Sequence, residues 1–491
     1  MKAVLLRLTH RTVEVLAGGA IAGGLLLFGG TVGWGLTLAF GLMGAAFCLW
    51  FALRLWVNPE AGISQPSPLQ NGPNSAPFHV ASRWLPWMIL WFGIALILQL
   101  LPLPEVCVAW LSPVRVGLAR LIREGLGEPG TGWLTLSLAP ESSRRSMILF
   151  ALGLMAFAVG GGLGANPARA RRIVLLLIWL VLLEALYGLA ENLSGHHHTL
   201  WVARQVKVTA SGSLINRDHF SAILALFLPI SIGWFYYGLA VRHGDANGRL
   251  PVKLLIGDIF SDRHGLWILV PAVLLLGIIQ GASRGACLTA VLDVTLLTVL
   301  GCSRRHPKAA AGMAVIIAAV CIAFAALGNI SLLMGRFDSP DFLLGGGRLR
   351  IWRNCLGIVR DFPLFGVGTG NFPAIYMHYS LSDTSLYPYE AHNEWLEALI
   401  CLGIFGAAPL MVGVFAIFAA AYRKVRWAGP DRPWLLGCWC GLIGFCAHCC
   451  TEYLLHISAI VLLVGLLAGL LAGFGGQDPP GQKNRPNSDG G

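Results

Sequence analysis

Apolar runs about as long as a membrane is thick constrain this chain more than any other feature. Charged residues make up only 12% of the 491 residues, about half of the share that soluble domains carry. A hydrocarbon core of about 30 Å needs about 20 apolar residues per helix, and the chain offers about twelve such segments. We therefore expect an all-α integral membrane protein. The segments are residues 13–30, 33–56, 84–104, 146–163, 173–190, 219–240, 265–281, 286–301, 311–334, 394–422, 434–447 and 455–474.

The basic residues indicate which side of the membrane each loop faces. Short loops rich in Lys and Arg are expected in the cytoplasm, and the loops alternate as that rule requires if Lys2, Arg7 and Arg11 start inside. Both termini are then predicted in the cytoplasm, and the polar stretch 335–391, between helices nine and ten, is predicted outside. Topology thus explains the net charge of +11, and no nucleic-acid partner is expected.

Composition divides the rest of the chain. Residues 1–170 contribute N-terminal transmembrane helices, interrupted by a flexible cytoplasmic linker at 58–82 that is rich in Pro, Ser, Asn and Gly. Residues 108–126 place apolar residues and arginines at helical spacing, which predicts an amphipathic helix on the outer membrane surface. Residues 476–491 are polar and rich in Pro and Gly, so we predict a disordered cytoplasmic tail.

The stretch 335–391 has the composition of an external catalytic loop. Its segment GRLRIWRNCLGIVRDFP predicts a short helix that begins at Arg348. The apolar face of that helix consists of Leu349, Trp352, Leu356 and Val359. The following turn, FGVGTGNF, lacks the GKS/T ending of a phosphate-binding P-loop. The energy for a reaction here must therefore already be present in the substrate.

Three charged residues on other helices are further candidates. Arg217 lies at the start of the sixth helix, where unpaired N–H groups and the helix dipole favour an anion. Arg284 lies between two closely spaced apolar segments, where it either meets an anion or a carboxylate or extends to the lipid headgroups. Glu184 lies within the fifth helix, which indicates either a functional carboxylate or a pair with an arginine of a neighbouring helix.

Five motifs, in their order along the chain, resemble a known family. They are GSLINRDHFSAILALFLP, SRGA, GRLRIW, PLFGVGTGNF and AHNEWLE. Together they resemble the O-antigen ligase and polymerase superfamily of bacterial cell-surface polysaccharide enzymes, although Asp218 stands where an asparagine is more usual. The resemblance spans residues 180–470. It implies a GT-C-like arrangement of the helices, with residues 171–475 forming a ligase-like catalytic membrane domain.

The resemblance also implies a reaction. Enzymes of this superfamily take a glycan from an undecaprenyl diphosphate carrier at the outer face of the bacterial inner membrane and join it to an acceptor hydroxyl. The donor would be the undecaprenyl-diphosphate-linked glycan, and the acceptor would be lipid A core or a growing polysaccharide, with membrane lipids around both. No nucleotide sugar or other cofactor is expected, and direct displacement would invert the anomeric carbon.

The matched motifs suggest which residues carry that reaction. Arg284 and Arg348 occupy the superfamily's arginine positions and are expected to bind the diphosphate, with Arg217 as a third candidate. His392 is the expected general base, because a neutral imidazole can accept the proton of a sugar hydroxyl. The alternative role for His392 is a structural hydrogen bond in the loop or at the helix start. Supporting roles are expected for Glu184, Trp352, Asn393 and Glu397, the last two by positioning the base and capping the tenth helix.

Three functional hypotheses remain at this point. The first is a ligase that passes a completed glycan to its acceptor, and the second is a polymerase that extends an O-antigen or exopolysaccharide. The third is a transporter or flippase of lipid-linked glycans, which needs no base. For either enzyme we predict a metal-independent reaction, because the aspartates of the external loop are too scattered to form a metal site. These aspartates are Asp338, Asp341 and Asp361.

Overall fold

The computed structural model is almost entirely helical. It describes residues 2–31, 33–57, 76–196, 198–203, 209–243, 263–301, 334–335, 348–380, 388–426 and 428–475. The α-helices of these residues are α1 (Lys2–Leu26), α2 (Gly33–Val57), α3 (Ala76–Leu100), α4 (Glu105–Leu111), α5 (Pro113–Leu126), α6 (Pro140–Gly164), α7 (Pro167–Ser194), α8 (Arg217–His243), α9 (Leu269–Gly281), α10 (Arg284–Gly301), α11 (Arg348–Asp361), α12 (Phe372–Tyr379), α13 (Glu394–Arg426), α14 (Arg432–His448) and α15 (Ser458–Gly473). Two short antiparallel pairs join β1 (Leu103–Pro104) to β2 (Trp133–Leu134) and β3 (His198–Thr199) to β4 (Val202–Ala203).

Six helices among the described residues are long and apolar enough to cross a membrane, namely α2, α6, α7, α8, α10 and α13. Three shorter apolar helices accompany them, at Pro86–Leu100, Gly265–Gly281 and Ser458–Gly473. The prediction of an all-α membrane protein is confirmed. The total of about twelve spans, which rests on segment length, stays a prediction. Of the ninth segment, 311–334, all but the last residue lies outside the described residues.

The third helix starts earlier than expected. It begins at Ala76, inside the predicted linker 58–82, and the earlier part of that linker lies outside the described residues. A proline is tolerated in the first turn of a helix because its missing N–H would have no partner there. Pro77 therefore does not prevent the helix from starting within the polar stretch.

Glycines bring the central helices close together. A Cβ on Gly469 of α15 would lie 2.0 Å from the carbonyl oxygen of Phe157 in α6. In the same way, a Cβ on Gly437 of α14 would lie 2.3 Å from the carbonyl oxygen of Pro229 in α8. Small residues allow helix backbones to approach closely, as is common in membranes. These two helix pairs contribute much of the largest hydrophobic core.

The predicted surface helix at 108–126 is in fact part of two helices, α4 and α5. Pro113 separates them, because the residue before a proline disfavours the helical conformation. Trp110 is 84% exposed, as expected for a segment that lies against lipid. Arg115 is instead buried, and its Nε donates to the carbonyl oxygen of Thr135 at 3.1 Å. Burial lowers the pKa of Arg115 to about 10, so this arginine serves the fold rather than the membrane surface.

The external loop contains α11, which begins at Arg348 as predicted. Its predicted apolar face is buried only in part, because Leu349 and Leu356 are 50% and 63% exposed whereas Val359 packs against a buried cluster. The buried side instead includes Cys355 and Ile358, which pack with residues of α12 and α13. Several sides of this helix carry apolar residues, so tertiary packing rather than periodicity decides which side is buried.

The turn after α11 packs against a kink in α13, where the backbone of Gly403 is not helical. Gly403 adopts a φ of +59° inside α13, a conformation that favours glycine. A Cβ at this position would lie 2.3 Å from the carbonyl oxygen of Leu364. The carbonyl of Ile400 accepts a hydrogen bond from the backbone N–H of Val367 at 3.0 Å. The Gly-rich turn therefore holds the external loop against the helix that follows His392.

Candidate active site

His392 lies immediately before α13 in a constrained backbone conformation. Its φ is +51°, a value that few residues other than glycine adopt. The preceding residue is held on both sides, since the Ala391 N–H donates to Glu397 Oε2 at 2.9 Å and Trp352 Nε1 donates to the Ala391 carbonyl at 2.9 Å. Asn393 caps α13 by accepting the N–H of Leu396 at 3.0 Å. The three predicted supporting residues around His392 thus fix its backbone.

Glu452 connects His392 to Arg348. One carboxylate oxygen, Oε1, lies 2.7 Å from His392 Nδ1, and Oε2 accepts a hydrogen bond from Arg348 Nη2 at 2.6 Å. The Glu452 side chain is only 3% exposed. Although burial acts in the opposite direction, the His392 hydrogen bond and the Arg348 charge hold the pKa of Glu452 below its ordinary value. An ionised carboxylate thus orients the imidazole and neutralises part of the arginine charge. We call His392, Glu452 and Arg348 the His392 cluster.

The other two predicted arginines lie at helix starts that meet the segment between α14 and α15. Arg217 begins α8 and its Nε lies 3.8 Å from Asp218 Oδ2. Arg284 begins α10, and a Cβ on its neighbour Gly285 would lie 2.5 Å from His448 Nε2. The structure therefore joins Arg348 directly to His392 through Glu452, while the helix starts of Arg217 and Arg284 border the same segment.

Tyr453 stands at the centre of three histidines. Its ring centroid lies 5.0 Å from those of His219 and His392 and 6.2 Å from that of His456, in edge-to-face arrangements. Asn216 Nδ2 donates to the Tyr453 hydroxyl at 3.5 Å. The loop before α8, the start of α13 and the loop before α15 therefore meet at one side chain.

A second histidine, with three glutamates around it, also lies near Tyr453. His456 Nε2 lies 3.4 Å from Glu390 Oε2 and 3.2 Å from Glu397 Oε1, and its Nδ1 lies 3.6 Å from Glu394 Oε1. We call these four residues the His456 cluster. Burial opposes the charged imidazole, but Glu394 and Glu397 raise the pKa of His456 well above its ordinary value. Burial, together with Glu397 and Glu394, raises the pKa of Glu390.

The His456 cluster also changes the expectation about metals. Ligand atoms of Glu390, Glu397 and His456 all lie within 4.8 Å of one another, a group that has the residue types of a metal site. The sequence indicated no acidic cluster, because Glu390 lies just before α13, Glu397 lies at its start and His456 lies before α15, and only folding brings them together. Metal independence therefore stays a prediction, and the His456 cluster is the place where a metal ion would contradict it.

Glu184 pairs with a serine, whereas one of its two predicted roles was a pair with an arginine of a neighbouring helix. It is buried in α7, and its Oε1 accepts the Ser213 N–H at 2.7 Å while its Oε2 accepts the Ser213 hydroxyl at 2.8 Å. The Ser213 hydroxyl in turn lies 2.6 Å from the carbonyl oxygen of Leu25. Glu184 thus fixes the loop that leads into α8 and Arg217, which is a supporting position at a distance from His392.

The fold and the site together define a class of protein, a polytopic all-α membrane protein with a histidine–carboxylate–arginine site beside its helix ends. Comparison with protein families then finds a match over part of the chain: residues 269–411 match the family described as O-antigen ligase. The match confirms the recognised O-antigen ligase and polymerase superfamily, a glycosyltransferase-like enzyme family. Arg284, Arg348 and His392 lie within the matched residues, whereas Arg217 and Glu452 lie outside them. No curated protein matches the chain at a significant level.

Sequence reasoning missed Glu452, Tyr453 and His456. A signal was present, because the short stretch TEYLLHIS begins between the last two predicted spans, runs into the start of the last one and carries three residues capable of proton exchange. By the predicted topology this stretch is external, on the same side as His392. It has no motif of its own, and only its contacts with α11 and α13 reveal its place in the site.

Proposed function

We propose that this protein transfers a glycan from an undecaprenyl diphosphate carrier to an acceptor hydroxyl at the outer face of the inner membrane, as an O-antigen ligase. The observation that carries the proposal is the direct connection of His392 to Arg348 through the buried Glu452. This arrangement joins a proton acceptor to an anion-binding group within one rigid unit. A transporter or flippase has no need of an oriented base.

Glu452 determines which nitrogen of His392 acts. Because the carboxylate faces Nδ1, it favours the tautomer with the proton on Nδ1, and Nε2 is then the proton acceptor. The acceptor hydroxyl loses its proton to Nε2 as its oxygen bonds to the anomeric carbon. The bond from that carbon to the diphosphate oxygen breaks at the same time. Attack from the opposite face inverts the anomeric carbon.

The arginines stabilise the diphosphate as it leaves. Arg348 uses Nη2 to bind Glu452, and its guanidinium carries further donors for phosphate oxygens. Its side chain is 30% exposed, so these donors remain accessible. Arg217 and Arg284, at the starts of α8 and α10, are proposed to complete the diphosphate site. No metal or cofactor is assigned to this reaction.

A transfer assay on the full-length protein in lipid nanodiscs tests this proposal. Undecaprenyl-diphosphate glycan and a lipid A core acceptor are supplied with a chelator and without nucleotide. We expect His392→Ala to lower the transfer rate by about 10²–10⁴, the usual contribution of a general base. His378→Ala is the matched control, because His378 is an exposed histidine of the same external loop.

The outcomes of this assay separate the parts of the proposal. Transfer by His392→Ala at the parent rate would contradict the base assignment. Loss of parent activity in chelator would contradict metal independence and would direct attention to the His456 cluster. Stepwise product ladders from a single-repeat donor would indicate a polymerase rather than a ligase.

A further inference from the structure

An apolar cavity of about 420 Å³ lies beside the His456 cluster. Residues of α3, α6, α13 and α15 line it, including Phe92, Phe150, Leu410 and Val464. One end of the cavity is polar, where Glu394, Glu397 and His456 contribute to its wall. Its volume falls in the range of small-molecule sites, about 300–1,000 Å³. His392, Glu452 and Arg348 of the His392 cluster are not among the residues that line this cavity.

The walls of the cavity suit a hydrocarbon chain. Two of its four helices, α6 and α13, are long and apolar enough to span the membrane, and α3 and α15 contain shorter apolar stretches. A cavity between such helices lies at the depth of lipid chains. A hydrocarbon chain that enters it exchanges one apolar environment for another. A polar ligand would leave its hydrogen-bonding groups unsatisfied along most of the cavity.

The polar end determines what kind of head group fits. It offers carboxylate oxygens of Glu394 and Glu397, and among the described residues that line the cavity there is no lysine or arginine. A phosphate or diphosphate placed there would face carboxylates without a guanidinium to offset the repulsion. Hydroxyl groups, in contrast, donate to carboxylates and accept from an imidazole. The His392 cluster, with its arginine, has the opposite preference.

We propose that this cavity binds the hydrocarbon chain of a lipid whose head group is uncharged and bears hydroxyls, at a site separate from the diphosphate site. The Tyr453 ring lies near both sites, with its centroid 5.0 Å from that of His392 and 6.2 Å from that of His456. The inference does not depend on glycan transfer, because it concerns binding to a different set of side chains.

Photolabelling of the full-length protein in phosphatidylcholine vesicles tests this site. The probes are a photoactivatable diacylglycerol and a phosphatidic acid with the same chains, and labelled peptides are mapped by mass spectrometry. We expect diacylglycerol to label α3 and α13 about tenfold more strongly, the ratio that a difference of about 1.4 kcal/mol produces. Excess unlabelled undecaprenyl diphosphate should leave this labelling unchanged.

A pair of glycine variants locates the labelling. Gly413 lines the cavity, and a Cβ there would meet only Met88 Sδ, at 3.8 Å, so Gly413→Leu fills the cavity without a backbone clash. Gly93 does not line the cavity, and a Cβ there would meet no atom within 4 Å. We expect Gly413→Leu to lower diacylglycerol labelling of α3 and α13 about tenfold, and Gly93→Leu to preserve it.

Three results would overturn the inference. Equal or stronger labelling by phosphatidic acid would contradict the head-group preference. Displacement of diacylglycerol by undecaprenyl diphosphate would make the cavity the carrier site. Unchanged labelling in Gly413→Leu would place the bound lipid elsewhere. Each of these results concerns binding alone, so none of them depends on the transfer activity of His392→Ala.

Discussion

Two clusters of histidine and glutamate lie near Tyr453, and their difference is informative. In the His392 cluster one histidine shares one buried carboxylate with Arg348. In the His456 cluster one histidine faces three carboxylates. The carboxylates around His456 raise its pKa well above the ordinary value, so it stays protonated near neutral pH and cannot accept a proton. The arginine thus distinguishes a cluster suited to base catalysis from one suited to holding a charged imidazole.

The same difference separates the ligands that the clusters can meet. Arg348 brings to the first cluster a guanidinium with donors beyond the one that binds Glu452, which suits an anionic diphosphate. The second cluster brings excess carboxylate to the end of an apolar cavity. Two neighbouring sites of opposite charge preference allow a phosphate-bearing lipid and an uncharged lipid to bind without competing.

Among changes that remove the difference between the two clusters, loss of the arginine should have the largest effect. Arg348→Ala removes both a diphosphate donor and the partner of Glu452, so transfer should fall by about 10²–10³. Arg353→Ala is the control, because Arg353 is an exposed arginine on the same helix. Single-turnover transfer and binding of undecaprenyl diphosphate measure both effects. Equal losses in the two variants would mean that general attraction between arginines and anions explains binding.

A smaller effect is expected from the carboxylate that orients the base. Glu452→Gln keeps the shape of the side chain but loses its charge, and we expect transfer to fall by about 10–100-fold, as for other residues that orient a functional group. Glu390→Gln, in the His456 cluster, should leave the rate near that of the parent. A pH–rate profile accompanies both variants. A larger loss in Glu390→Gln than in Glu452→Gln would reverse the assignment of the two clusters.

The smallest effect is expected in the pH dependence of stability, where the two clusters act in opposite directions. The lowered pKa of Glu452 contributes stability above about pH 4.5, and this contribution is lost as pH falls through its folded value. The raised pKa of His456 contributes stability below about pH 6.5, and this contribution is lost as pH rises through its folded value. Glu390, with its raised pKa, adds to the loss at high pH.

Thermal unfolding between about pH 2 and about pH 9 measures these contributions. The groups that face His456 are Glu390, Glu394, Glu397 and Tyr453. We expect His456→Gln to flatten the decline in melting temperature at high pH and Glu452→Gln to flatten the decline at low pH. A decline at high pH as steep in His456→Gln as in the parent would show that another group is responsible.

The sequence predicted the class of fold, the start of α11 at Arg348 and the position of His392 before a long apolar helix. These features depend on local composition and on motifs, which a sequence shows directly. The apolar face of α11 was predicted only in part, because packing against α12 and α13, not periodicity, selects the buried side. Glu452 was missed because its contacts join residues 60 and 104 positions apart.

The histidines illustrate the same limit in the site itself. In the predicted topology His392 lies just before the span 394–422, and His456 lies at the start of the span 455–474. Their local sequences do not show that one pairs with a single carboxylate and the other with three. That difference arises from how the loop before α13 meets the loop before α15, which is a tertiary contact. The charge environment, and with it the chemistry, is therefore set by the fold.

A double-mutant cycle tests most directly whether Glu452 acts through His392. Single-turnover transfer is measured for the parent, His392→Ala, Glu452→Gln and the double variant, each checked for folding by thermal unfolding. If the carboxylate serves to orient this base, Glu452→Gln should cost about 10–100-fold in the parent and almost nothing in His392→Ala. Equal losses in both backgrounds would contradict the account, because they would mean that the two residues act independently.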